Sequence, residues 1–250
     1  MLENLQIIQE LHEDYLRSGV DIVTTSSYQA TVQGLENYGL SEKEALDTIA
    51  LTVELAKNAR QNFWQSLTDG SEYIVDYQLL KEAFKDFHRS RIQTLLAAGS
   101  DFLAIETIPN MAEATALVEL LADEFPDTEA YMSFTTQDSQ KISDGTPMTE
   151  VAKLCDSSKQ ILAFGINCSC PAIISDLLKA SRTISQKPLV TYPNSGEIYD
   201  GAIQPWKSLS DNSHTLCENS QVWHKLGAKT IGSCCRTRSE DIKLLTDKLK

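Results

Sequence analysis

One type of connection, from a helix through a glycine to a strand, recurs along this 250-residue chain and constrains its fold more than any other feature. Three helical patterns end at a glycine, Gly19, Gly99 or Gly227, and a short apolar segment begins directly after each of them. Glycine is the usual residue just past a helix end because it readily adopts the left-handed backbone that closes the last turn. A repeated helix–glycine–strand joint therefore predicts repeated αβ units.

The same alternation continues over the whole chain. A period of 3.6 residues predicts helices over 3–18, 42–66, 79–97, 111–124, 147–156, 171–183 and 213–226. Short apolar or β-branched runs predict strands over 20–25, 101–106, 129–135, 161–166, 188–192 and 229–233. Strands that alternate with helices run parallel, with the helices as crossovers, so the predicted class is α/β.

Polar or reactive side chains follow nearly every predicted strand at its carboxyl end. This favours a (β/α)8 barrel of the TIM type over an open doubly wound sheet, because a barrel brings those ends onto one rim. Only six strands are predicted, whereas a closed barrel of this kind has eight. The alternation breaks at the N-terminus and at 67–78, so we expect an incomplete barrel that lacks strands one and three.

Length and charge limit the possible partners. Single α/β barrels run to about 250 residues, so we expect one domain over residues 1–250. The chain has 22 Lys+Arg against 35 Asp+Glu, a net charge of −13, and no basic cluster of the kind that nucleic acid requires. No apolar run reaches the roughly 18 residues of a membrane span, and the start has no signal pattern. We therefore expect a cytoplasmic protein with neither nucleic acid nor membrane as partner.

Three cysteines lie at the ends of predicted strands. Cys168 follows the strand over 161–166, while Cys234 and Cys235 adjoin at the end of the strand over 229–233. Neighbouring side chains of a strand point to opposite faces, so both thiols reach one ion only where the strand breaks into a loop. Three thiolates on one rim would select zinc and leave a fourth position for substrate. The alternative is three small buried residues.

Two other strand ends carry candidate binding residues. Glu106 ends an apolar strand, where an unpaired carboxylate is costly, so we predict either an anchor for a ligand ammonium group or a salt bridge at the rim. Asn194 lies in 192–197, where Pro, Asn and Gly follow a strand and form a rigid loop or an ordinary turn. Cys155 and Cys217 lie within helical patterns, and we predict that both are core residues.

Five motifs, taken together, resemble the homocysteine S-methyltransferase family. They occur in order over almost the whole chain, at 27–31, 106–110, 165–169, 192–197 and 232–237. The most specific is the split pair, Asn-Cys followed much later by Gly-Ser-Cys-Cys-Arg-Thr, which is the zinc site of that family. The resemblance implies that the zinc ligands are Cys168, Cys234 and Cys235. It also implies that Glu106 holds the homocysteine amino group and that Asn167 and Asn194 belong to the substrate-binding residues.

The activity implied by this resemblance is methyl transfer from S-methylmethionine, or from S-adenosylmethionine, to the thiol of homocysteine, which forms methionine. Two family features have no match here: an initial strand with Asp-Gly-Gly, and a strand before the segment 69–73. They coincide with the two breaks in the alternation. The alternative is therefore a non-catalytic or unstable remnant that binds zinc but not homocysteine. A thiol redox protein fits less well, because redox cysteine pairs usually have two intervening residues.

Overall fold

The computed structural model describes residues 4–62, 81–195, 198–199, 206–207 and 216–250. The described residues divide into two compact units, one made of 4–62 with 82–103 and the other of 81 with 104 onward. None of the described helices is long and apolar enough to cross a membrane.

The first unit is helical. Its elements are α1 (Leu5–Arg17), α2 (Val32–Asn37), α3 (Glu42–Asn62) and, apart from its first residue, α4 (Lys81–Ala97). The side chain of Asn4 caps α1 by accepting a hydrogen bond from the Ile7 amide, and Thr31 caps α2 in the same way through Gly34. Helices α1, α3 and α4 were predicted from their periodicity and are confirmed, whereas α2 was not predicted.

The predicted strand over 20–25 is wrong. Gly19 does end α1 with a φ of +89°, as the joint predicts, but the residues after it belong to no sheet. A strand exists only through hydrogen bonds to a neighbouring strand, and no strand in the described part of the chain pairs with 20–25. A β-branched run sets a local preference for extended backbone, and that preference does not supply the missing partner.

The second unit is built on a parallel sheet of five strands in the order β1-β2-β3-β4-β7. The strands are β1 (Leu103–Ile108), β2 (Ala130–Phe134), β3 (Ile161–Asn167), β4 (Leu189–Tyr192) and β7 (Ala228–Ile231). The helices are α5 (Met111–Glu124), α6 (Met148–Ser157), α7 (Pro171–Arg182), α8 (Leu216–Lys225) and α9 (Ser239–Leu249). A short antiparallel pair, β5 (Ile198–Tyr199) and β6 (Trp206–Lys207), lies between β4 and α8 in sequence. The α/β class and five of the six predicted strands are confirmed.

Three long polar side chains fix the connections that lead into these strands. Gln160 donates from Nε2 to three carbonyls between the last turn of α5 and β2. Lys187 donates from Nζ to three carbonyls between the last turn of α6 and the first residue of β3. Arg182 donates to carbonyls in the loops before β4 and β7. Helix ends leave carbonyls without intrahelical partners, and these side chains satisfy them. The strands are thereby anchored at the edge opposite to the carboxyl ends that carry the candidate residues.

Candidate active site

The carboxyl ends of β3 and β7 bring the three predicted thiols together. Cys168 directly follows β3, and Cys234 and Cys235 lie in the loop after β7, so the predicted break of this strand into a loop is confirmed. Cys235 Sγ lies 3.7 Å from Cys168 Sγ and 4.0 Å from Cys234 Sγ. A disulfide joins Cys168 and Cys234, whose Cα atoms are 5.5 Å apart. The three sulfur atoms lie within 4.8 Å of one another and form a group that can hold a metal ion.

The last residue of β4 and the segment after it hold both cysteine-bearing loops in place. Their backbone makes four hydrogen bonds to these loops: Cys168 N to Tyr192 O at 3.1 Å, Cys234 N to Pro193 O at 2.8 Å, Asn194 N to Ser169 O at 3.2 Å and Ser195 N to Cys235 O at 3.1 Å. Main-chain hydrogen bonds of this kind fix the positions of the cysteine backbones without any bound ion. The described part of the 192–197 motif therefore links the two cysteine-bearing loops through backbone hydrogen bonds.

Three strained residues lie at this edge. Thr107, Cys168 and Arg236 have φ values of +62°, +45° and +66°, and among the described residues they are the three non-glycine residues with positive φ. A left-handed backbone at such residues costs about 1–3 kcal/mol and persists only where the surroundings enforce it, which is common at functional sites. Cys168 is itself a candidate ligand. Thr107 directly follows Glu106, and Arg236 directly follows Cys235.

Glu106 lies on β1, and two tyrosines donate hydrogen bonds to its carboxylate. Tyr192 Oη donates to Oε1 at 2.8 Å, and Tyr131 Oη donates to the same oxygen. The two tyrosine rings meet edge to face with centroids 6.3 Å apart. No described residue donates to Oε2, and none of the described Lys, Arg or His residues forms an ion pair with Glu106. The predicted alternative of a rim salt bridge is thus not found among the described residues, and one carboxylate oxygen remains open to a donor.

Burial controls the protonation of this group. Burial raises the pKa of Glu106, and the two phenol donors oppose that rise. Burial and the nearby charge of Glu106 raise the pKa of both Tyr131 and Tyr192, so the phenols remain protonated donors at neutral pH. An ammonium group placed at Oε2 would favour the ionised carboxylate and lower its pKa again. The electrostatics of Glu106 therefore suit a cationic ligand.

Asn167 and Asn194 lie at the same edge and are both buried. Asn167 is 1% exposed, and both ends of its amide are bonded to Thr107: Oδ1 accepts from Thr107 N at 3.0 Å and Nδ2 donates to Thr107 Oγ1 at 2.7 Å. Asn194 is 8% exposed and lies in the segment after β4 that links the two cysteine-bearing loops.

The remaining cysteines lie outside the thiol group, as far as the described residues show. Cys155 is fully buried on α6, and burial raises its pKa to about 12, which confirms it as a core residue. The same prediction for Cys217 is wrong, because this residue in the first turn of α8 is only partly buried. Cys170 precedes Pro171 at the start of α7.

Three residues that surround Glu106 were not predicted from the sequence. Tyr131, Tyr192 and Thr107 were not assigned a role, although a charged residue in an apolar strand must find donors nearby. The available signal for the tyrosines was their place on two predicted strands of the same sheet, β2 and β4. No local signal pointed to Thr107, whose bonds come from a residue 60 positions away.

Comparison with known proteins decides the family. A family model described as homocysteine S-methyltransferase matches residues 1–249. The chain belongs to the homocysteine S-methyltransferase family. Homocysteine S-methyltransferase YbgG of Bacillus subtilis (strain 168) is 38% identical over 97% of this chain and 84% of its own length. Homocysteine S-methyltransferase of Escherichia coli (strain K12) is 39% identical over 98% of this chain and 85% of its own length.

Solved structures of one family member resemble this chain closely. The metallated form of the homocysteine methyltransferase MmuM from Escherichia coli superposes with a TM-score of 0.85 at 37% identity, over 98% of this chain and 87% of that chain. Its oxidized form gives a TM-score of 0.85 at 38% identity, over 98% and 85% of the two chains. The family resemblance inferred from the five motifs is confirmed.

Proposed function

We propose that this chain is a zinc-dependent homocysteine S-methyltransferase that moves a methyl group from a sulfonium donor to the thiol of homocysteine and forms methionine. One observation carries the proposal: Tyr192 touches both halves of the site. Its hydroxyl donates to Glu106, and its carbonyl accepts from the Cys168 amide. A soft-metal thiol group and an acceptor for an ammonium group are thereby joined through a single residue, and homocysteine carries both a thiol and an ammonium group.

The three thiols fit zinc in chemistry and in spacing. Zinc binds thiolates at about 2.3 Å in a tetrahedral arrangement, which places the sulfur atoms about 3.8 Å apart. Two of the three separations, 3.7 and 4.0 Å, already have this value. The third pair is the disulfide of Cys168 with Cys234, so these two residues become ligands only after reduction. The need for reduced thiols agrees with the cytoplasmic location predicted from the sequence.

Zinc held by Cys168, Cys234 and Cys235 would leave a fourth position for the homocysteine sulfur and would keep that thiol deprotonated at neutral pH, where a free thiol with a pKa of about 8.5 is mostly protonated. Methyl transfer to that thiolate would form a bond from its sulfur to the methyl carbon and break the bond from this carbon to the donor sulfur, whose positive charge would be neutralised by the released electron pair. With S-methylmethionine the donor becomes a second methionine, and with S-adenosylmethionine it becomes S-adenosylhomocysteine. No general base is needed in the transfer step.

The protein side chains orient the acceptor. Glu106 receives the homocysteine ammonium group at Oε2, while Tyr131 and Tyr192 hold Oε1. Asn167 and Asn194 support substrate binding from the same edge of the sheet, Asn167 through its bonds to Thr107. Holding the reacting sulfur and the ammonium group at two fixed points favours the in-line geometry that methyl transfer requires.

We also propose that the sheet is part of an incomplete (β/α)8 barrel that forms a single domain over residues 1–250. The five strands lie side by side in chain order, without the reversal of order that marks a doubly wound sheet. The matches to the relatives extend over 264 and 279 residues, although the whole chain has 250. The relatives therefore contain residues within the matched span that this chain lacks, which supports the absence of an internal strand, the third.

The test is methionine formation by reduced, zinc-loaded protein supplied with homocysteine and S-methylmethionine, and then with S-adenosylmethionine. We expect zinc-dependent methionine that disappears with a chelator. Cys235→Ser should lower the activity by more than about 100-fold, since even the outer partners of metal ligands are worth 10–100-fold.

The matched control is Cys217→Ser, which removes a thiol outside the group and should leave the activity unchanged. Absence of product from folded, zinc-containing protein would contradict the proposal. That outcome would favour the alternative from the sequence, a remnant that binds zinc but does not use homocysteine.

A further inference from the structure

We propose that Asn167 is a positioning residue for the substrate ammonium group: it locks Thr107 and thereby fixes Glu106 relative to Cys168, without touching substrate itself. The inference rests on the proposed function and deepens it. Asn167 comes directly before Cys168, and Thr107 comes directly after Glu106. One side chain thus ties the backbone of the candidate ammonium anchor to the backbone of a candidate metal ligand.

We call the two hydrogen bonds between the Asn167 side chain and Thr107 the clamp. Asn167 accepts from the amide of Thr107 and donates to its hydroxyl, at 3.0 and 2.7 Å. It reaches from β3 to β1, which are not neighbours, because β2 lies between them in the sheet. Both partners are buried, with 1% of Asn167 and 6% of Thr107 exposed. Two bonds to one buried residue fix the orientation of its peptide as well as its distance.

The conformation of Thr107 is the reason why such a clamp is needed. Its φ of +62° lies in the left-handed region, which is strongly disfavoured for a β-branched residue. Without an external constraint the backbone would relax toward negative φ and turn the preceding residue, Glu106. Both bonds of Asn167 to Thr107 require its present orientation, so they offset the cost of the strained backbone.

Glu106 is consequently held at both ends. The clamp fixes its backbone, and the two phenols hold Oε1 of its carboxylate, so that only Oε2 is open. The separation between Oε2 and the thiol group then acts as a fixed distance between the ammonium and the sulfur of the substrate. Homocysteine has one methylene more than cysteine in that interval. The clamp thereby makes binding sensitive to the number of methylenes between the ammonium group and the thiol of an amino thiol.

Direct contact of Asn167 with substrate does not agree with the structure. Both ends of the amide are bonded to Thr107, and almost none of the side chain is accessible. A role confined to stability is separable by experiment, because it would affect all thiol substrates equally.

The experiment measures thiol binding by calorimetry with zinc-loaded Asn167→Ala, in the absence of methyl donor. We expect homocysteine affinity to fall about 10–100-fold, the range expected when a hydrogen bond to a charged group is lost. Affinity for 4-mercaptobutanoate, which is homocysteine without its amino group, should stay the same, as should the zinc content. The preference for homocysteine over cysteine should decrease. Asn167→Asp, which keeps the acceptor for the Thr107 amide, should recover part of the loss.

Thr107→Val gives a second test that does not depend on the folding of the first variant. It removes only the hydroxyl partner of the clamp and keeps the shape, and it should show the same pattern with a smaller loss. Asn37→Ala, an exposed asparagine at the end of α2, is the matched control and should change nothing.

The outcomes separate this inference from the proposed function. Unchanged homocysteine affinity, or an equal loss for homocysteine and 4-mercaptobutanoate, in variants of an active protein would overturn the positioning role alone. Failure of the wild-type, zinc-loaded protein to bind homocysteine or to form methionine would overturn the proposed function instead.

Discussion

At the scale of single residues, the carboxylate of Glu106 is buried in a position that disfavours its ionised form. Burial raises the pKa of this group, which means that its ionised form is destabilised in the folded, ligand-free protein. The phenols of Tyr131 and Tyr192 compensate only in part. Binding sites often contain groups that reduce the stability of the free protein, and here an ammonium group of the ligand would supply the missing positive charge.

Replacing Glu106 with Gln is therefore expected to stabilise the ligand-free protein near pH 8 while it abolishes the preference for an amino group. A group with a raised folded pKa favours folding below its unfolded pKa of about 4.3, and that advantage is lost as the pH rises through the folded pKa. The neutral amide removes this penalty and can still accept the two phenol hydrogens. We expect a Tm about 2–4 °C higher at pH 8, or about 1 kcal/mol, and a difference that shrinks toward pH 4.5.

Thermal melts between pH 8 and pH 4.5 check this expectation. Glu150→Gln, at an exposed carboxylate on α6, serves as control and should show no such trend. A lower Tm for Glu106→Gln at pH 8 would show that the carboxylate is stabilising.

At the scale of elements, the site depends on the close approach of β3 and β4. Gly165 pairs with Ser133 on β2 and with Val190 on β4. It shares a sheet face with Ser133 and Tyr192, whose hydroxyls form a hydrogen bond across β3. A Cβ at Gly165 would lie 1.8 Å from the Val190 carbonyl oxygen, so only glycine permits this pairing.

Gly165→Ala is expected to destabilise the protein strongly, because backbone rather than a flexible side chain blocks the new methyl group. Overpacking of this kind costs about 1–3 kcal/mol or more, which lowers the Tm by at least about 2–4 °C. Gly232→Ala is the matched control, since its Cβ would meet only Tyr192 Cβ, at 3.4 Å. Equal melting temperatures for the two variants would contradict the proposed role of Gly165.

At the scale of the whole molecule, the thiol group can exist in two exclusive states. The disulfide of Cys168 with Cys234 removes two of the three donors, because only a thiolate is a good metal ligand. Metal binding and oxidation therefore compete for the same sulfur atoms.

We expect oxidised protein to take up no zinc and reduced protein to bind it and become more stable. Zinc at about 1,000 times its Kd would add about 4 kcal/mol to the free energy of unfolding. Metal analysis and thermal melts before and after reduction measure both effects. Cys234→Ser should lose the stabilisation, and Cys217→Ser should keep it. Tight zinc binding by fully oxidised protein would contradict the competition.

Helix positions and the identity of the chemical groups followed from the sequence itself. Helix α5 was predicted over 111–124 and has those bounds, because its periodicity and the capping side chain of Asn110 are local. The thiols and the carboxylate were recognised because cysteines at strand ends and a charge in an apolar strand are unusual in any context.

Only the tertiary structure decided which groups meet. Residues 20–25 look like a strand, yet their state depends on partners that the local sequence does not contain. The two phenols at Glu106 and the clamp from Asn167 to Thr107 join residues 25 to 86 positions apart. Local patterns encode backbone preference and side-chain chemistry. Hydrogen bonds between distant strand ends depend on the register and order of the sheet, and these are properties of the folded chain as a whole.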